Sequence, residues 1–193
     1  MVTPDVNIMP VSTGATWSVL GLYLSLAPGL ADQAVGTRNL LVGGTISAAL
    51  TSAGLVAQLI TQRPGAVRLT ISGDLLLGIA LLLSVAAAAA HSAWAIYLTA
   101  VAMGAGFGPA FSSSLRQLAA VIPSAQRGQV MSAYYLVGYL SLAIPAVLAG
   151  LAATRFGLTH TYLAFGTAVA ITCGAAGWLG GRLTADRHTG GTG

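Results

Sequence analysis

Few side chains in this 193-residue sequence have the chemistry to react or to ligate, and they can be weighed one by one. The three histidines, His91, His160 and His188, stand far apart, and the lone Cys173 sits inside an apolar run. Neither a metal ligand set nor a disulfide within the chain is therefore expected. No Gly-x-Ser-x-Gly elbow and no His-Glu-x-x-His pair occurs, and no Glu is present to act as a general base. The expectation is a non-enzyme without catalytic residues or cofactor. Gly104-Ala105-Gly106-Phe107-Gly108 misses the spacing of a dinucleotide loop and has no strand before it. Gly104 and Gly108 are four apart, so they share a helix face and predict a close-packing seam, with Pro109 bending the helix just after it.

Binding without covalent chemistry is the better-supported role. Tyr135 and Tyr139 fall on one helix face with Tyr134 beside them, and Phe107 and Phe111 repeat the spacing, extended by Ser114. With Trp17 and Tyr23 these aromatics could line a cavity for a large amphipathic molecule, although aromatic packing between helices uses the same residues. The substrate-cavity candidates are thus Trp17, Tyr23, Phe107, Phe111, Tyr135 and Tyr139.

The elements that must position them follow from composition. Hydrophobic residues make up 55% of the chain and charged residues 6%, with a mean hydropathy of +0.82. A soluble domain carries about a quarter of its residues as charges, so this surface is expected to face lipid. Every basic residue is Arg and every acid Asp. The net charge of +4 is not gathered into a patch that could follow a phosphate backbone, which excludes nucleic acid as the expected partner.

A membrane helix needs about 20 largely apolar residues, and the uncharged intervals supply them. They predict spans at about 14–31, 39–61, 69–90, 93–120, 128–154 and 158–181. Pro28-Gly29 closes the first, Arg63-Pro64-Gly65 turns the chain after the second, and His91-Ser92 breaks the long interval between the third and fourth. A segment 1–13 precedes this 14–183 domain, and a disordered tail 184–193 follows it. The apolar runs are continuous rather than alternating, so the fold class is all-α. Arg63, Arg68, Arg116, Arg127, Arg182 and Arg187 fall on one side of the six spans, and Arg38 and Arg155 on the other. The positive-inside rule then places both termini in the cytoplasm of a multi-pass plasma-membrane protein. Asp74 and Arg116 are expected near the cytoplasmic surface as gate-like residues, with Asp74 in reach of Arg68, leaving no charge near a span centre.

The order of these features resembles the C-terminal six-helix half of a major facilitator superfamily transporter, nearest to multidrug-efflux-like members. The resemblance runs over about residues 14–183. It is carried by Met103-Gly104-Ala105-Gly106-Phe107-Gly108-Pro109, Val121-Ile122-Pro123, Arg127-Gly128, Tyr134-Tyr135-Leu136-Val137-Gly138-Tyr139-Leu140 and Ile144-Pro145-Ala146-Val147-Leu148-Ala149-Gly150. Gln58–Val67 resembles that family's loop motif, retaining Arg63 and Gly65 but placing Gln62 where the family has an acid. The resemblance implies a half-transporter built from two three-helix inverted repeats, moving a small molecule by alternating access between two six-helix halves. It adds Arg63, Gly65 and Arg127 to Asp74 and Arg116 as the gate or cytoplasmic-loop candidates. It implies an N-terminal half or a second copy as partner beside the lipid bilayer and the substrate, in a chain that begins in what would be a central loop. The alternative is a non-transporting membrane subunit or inactive transporter fragment.

Overall fold

The computed structural model describes residues 9–36, 40–61 and 66–189. Within them, the side chains of 9–13, 15, 31, 34, 35, 40, 66–70, 124, 176, 177 and 179–189 stand outside that description. The described residues form six α-helices and a single 3-10 turn, with no strand among them. The helices are α1 (Met9–Val35), α2 (Leu40–Ile60), α3 (Ala66–Ala89), α4 (Ala93–Val121), α5 (Arg127–Phe156) and α6 (Leu158–Thr189). Each overlaps one apolar interval of the sequence. In an apolar run the backbone must satisfy its own hydrogen bonds, and helices do so within the segment. Among the described residues four helices, α2 to α5, are long and apolar enough to cross a membrane, and α1 carries a shorter apolar stretch, Thr16–Leu30. These helices are compatible with a membrane location.

The helix ends have local causes. Gly36, with φ of 70°, ends α1 and its N–H donates to Asp32 O at 2.9 Å. His91 turns the chain with φ of 51°, and Ser92 caps α4 by accepting from the Ala95 N–H at 3.4 Å. Gly157, with φ of 82°, ends α5. Two expected boundaries are corrected. Pro28 does not close the first helix but lies inside it, with its ring against Gly43 of α2. The 184–193 tail is helical through Thr189, because no helix breaker follows Arg182 until Gly190; residues 190–193 are outside the described residues.

α4 packs chiefly on α3 and α2, while α3 packs also on α6. On the other side, α1 packs chiefly on α5 and α6 and reaches every remaining helix. α4 and α5, although consecutive, are not among the extensively packed pairs. Glycines set the tight contacts. A Cβ on Gly104 would come within 2.1 Å of Leu50 O, and one on Gly108 within 2.1 Å of Gly54 O. The expected seam therefore exists, and it faces α2. Gly106, rotated to the other flank, meets Gly73 O of α3 at 2.9 Å by the same measure. Approaches this close are open only to residues without a side chain.

Candidate binding site

Three helices bring the aromatic residues together. Trp17 of α1 lies edge-on to Phe111 of α4, with centroids 5.8 Å apart, and edge-on to Tyr139 of α5 at 5.2 Å. Phe107 stacks on Phe111 at 5.8 Å and Tyr135 on Tyr139 at 6.4 Å. Helical periodicity produces both stacks, since residues four apart point the same way. Edge-to-face pairs add about 0.5–1.5 kcal/mol beyond the area they bury. Trp17 is the junction between α4 and α5, which its indole joins where their backbones do not.

Gly138 gives the indole its place. A Cβ there would stand 2.8 Å from Trp17 Cε2, so any side chain would displace the ring. Backbone approach fixes the same pair of helices: Gly21 of α1 lies against Leu142 O, and Ser18 Oγ donates to Ser141 O at 2.9 Å. Exposure then grades the cluster. Trp17 is 7% exposed, Phe107 and Phe111 are half-buried, and Tyr139 is 60% exposed. The cluster thus has a fixed floor and an open rim. At one edge Ser114 Oγ shares a hydrogen bond of 2.9 Å with Tyr134 OH, a polar link between α4 and α5. Tyr134 and Gly138 belong to the cluster although neither was a candidate. Gly138 was legible as a gap between Tyr135 and Tyr139 on a face otherwise filled with rings.

Tyr23 is not part of this group. It is 1% exposed, and its hydroxyl donates to Ile96 O at 2.9 Å, tying α1 to the start of α4. It lies six residues beyond Trp17, about 9 Å along the helix. Its expected cavity role is replaced by a packing one. A similar buried link joins α3 to α6, where Ser84 Oγ and Tyr162 OH are 2.6 Å apart. Such bonds satisfy hydroxyls that have no water to turn to.

Among the gate candidates the largest change concerns Asp74. Instead of lying at the surface it is 3% exposed and accepts a 2.9 Å hydrogen bond from Thr16 Oγ1. It is the ninth residue of α3, about 12 Å from the start of that helix. The helix begins earlier than the sequence spacing places it, and Gly73 docks against α4, which draws Asp74 inward. The side chain of Arg68, its expected partner, is outside the described residues, as are Arg63 and Gly65. Arg116 is exposed near the end of α4. Arg127 is exposed at the start of α5, where its Nη2 donates to Ala119 O at 3.4 Å across the turn. No group of three or more His, Cys, Asp or Glu residues able to hold a metal occurs among the described residues.

The arrangement can bind a flat apolar body through ring contacts and offer hydrogen bonds from Tyr and Ser hydroxyls at its edge. It supplies no described nucleophile with an adjacent base. Comparison with protein-family models returns no match, and no curated protein matches the chain.

Proposed function

We propose that the chain is one six-span half of a small-molecule transporter of the major facilitator type, with the aromatic cluster on α1, α4 and α5 as its share of the substrate cavity. The observation that carries this reading is the graded exposure of one connected ring system. Trp17 is held at 7% exposure and Tyr139 stands open at 60%, as a half-site facing a missing wall would be. Aromatic packing for stability alone would favour closing that rim.

Two features support a half built from repeats. The main helix pairings keep their pattern when the first three helices are exchanged with the last three. α2 pairs with α4 as α5 does with α1, α3 with α4 as α6 with α1, and α3 with α6 pairs with its own image. In addition, α2 and α5 are the least buried of the four long apolar helices, at 22% and 11%. They offer faces to a second six-helix unit, either an N-terminal half or another copy of this chain. The Arg distribution supports both termini being cytoplasmic in a plasma membrane. The substrate is small, amphipathic and exported, and the lipid bilayer is the surrounding partner.

The test is transport in sealed vesicles. The chain alone should show no saturable, gradient-driven uptake of a fluorescent amphipathic dye, because half a cavity cannot alternate. Co-production with six preceding spans encoded in frame should restore it. Saturable transport by the monomeric chain would overturn the half-transporter reading. If the completed assembly transports but ignores replacement of Phe107, Phe111, Tyr135 and Tyr139, the chain is a structural subunit instead.

A further inference from the structure

One polar atom in the aromatic cluster is unaccounted for. The Trp17 Nε1 nitrogen is enclosed and has no hydrogen-bond partner among the described residues. Its residue is 7% exposed, so the indole N–H has exchanged water for rings. Buried indole N–H groups usually find an acceptor, and leaving one without is costly. The hydroxyls on either side of Trp17 in α1 are matched: Thr16 donates to Asp74 and Ser18 to Ser141 O. Asp32 Oδ1 and Thr161 Oγ1 are also enclosed without a partner, but neither belongs to the aromatic cluster.

One of the rings packed on this indole is poorly anchored. Tyr139 lies edge-on to the indole at 5.2 Å, is 60% exposed, and its phenol has no hydrogen-bond partner among the described residues. Exposed side chains change rotamer in picoseconds to nanoseconds. The indole itself is held in place, because its Cε2 edge rests on the Gly138 backbone, with room for no Cβ. Of the two rings against the indole, Phe111 is half-buried and Tyr139 is exposed, so access is most open at Tyr139.

The geometry points to a gated donor subsite: Tyr139 swings out, and a flat apolar molecule carrying a carbonyl-type acceptor takes its place and accepts from Trp17 Nε1. The inference rests on the cavity reading above and names its substrate class, a neutral aromatic ketone, quinone or lactone-like molecule. A cation would leave the N–H unmatched, and a hydrocarbon would gain ring contact but no hydrogen bond. A site built to pair a polar group discriminates against the analogue lacking it.

The experiment uses the full chain in lipid nanodiscs with isotope-labelled tryptophan, its indole N–H resonances assigned through Trp94→Phe and Trp178→Phe. Fluorenone and fluorene are the probes, near-identical tricycles of which only the first has a carbonyl. Fluorenone should move the Trp17 indole proton downfield and saturably, and bind about tenfold more tightly than fluorene. Tyr139→Ala should speed deuterium exchange at that proton about tenfold while the fold persists. Trp17→Phe should remove the preference for fluorenone and keep the weaker, shared affinity. If the two probes bind equally and both lose affinity in Tyr135→Ala, the cavity reading survives and the donor inference falls. Shifts of equal size at Trp17, Trp94 and Trp178 would indicate bilayer partitioning alone and would also overturn it. The cavity reading is decided separately by vesicle transport.

Discussion

One helix, α4, carries two opposite kinds of contact. Along one flank Gly104 and Gly108 bring its backbone against the carbonyls of Leu50 and Gly54 on α2, and Gly106 does the same against α3. Along the other, Phe111, with Phe107 stacked on it, meets Trp17 of α1, which in turn meets Tyr139 of α5, and Ser114 bonds Tyr134. The glycine side removes side chains so that backbones interlock; the aromatic side adds them across a gap. Lipid tails are as apolar as leucine, so close packing rather than hydrophobic burial holds membrane helices together. The glycine flank is therefore the scaffold, and the aromatic flank is free to be a surface for something else.

The comparison breaks most visibly at the seam. Gly104→Val and Gly108→Val each drive a branched carbon into a backbone carbonyl, and should cost about 3 kcal/mol apiece in unfolding measured by detergent titration. Little or no loss would mean that the helices separate freely there. Next in size is Thr16→Val, which takes one donor from the buried Asp74 carboxylate and should cost about 1–3 kcal/mol. Gly150→Ala sharpens the contrast from the other direction. A Cβ at Gly150 meets nothing within 4 Å, so Ala should stabilise α5 by about 0.5–1 kcal/mol through helix propensity. Comparable in size and opposite in sign is Tyr139→Ala, whose ring is mostly exposed: a loss of no more than about 0.5–1.5 kcal/mol, the worth of its edge-on pair with Trp17, is expected in the same titration. A large loss there would make the aromatic flank a second scaffold and remove the reason to call it a site.

Much of this was legible in the chain. Periodicity and the intervals between charges gave the helices, His91-Ser92 gave the break between two of them, and the four-residue spacing gave the glycine seam and the stacked pairs Phe107–Phe111 and Tyr135–Tyr139. Spacing within one helix is local geometry, which sequence encodes directly. The errors share a cause. Tyr23 and Asp74 were assigned by residue type and by distance from a helix end, but a helix buries whichever arc its neighbours cover. Tyr23 points at the carbonyl of Ile96 and Asp74 at Thr16, partners 73 and 58 residues away in the chain. Pro28 likewise reads as a terminator until Gly43, on the next helix, provides a flat surface for its ring.

Sequence alone determined that this chain is helical and apolar, because 6% charge over 193 residues leaves continuous runs whose backbones can be satisfied only within the segment. It also determined which residues share a face. Tertiary structure decided which faces meet: that the indole of Trp17 fills the space between two consecutive helices whose backbones stand apart, that Tyr23 serves packing instead, and that a carboxylate lies inside. Those outcomes depend on the rotation of each helix about its axis, which is set by the backbone approach at a few glycines. A turn of 100° per residue makes that rotation decisive, and composition carries no record of it.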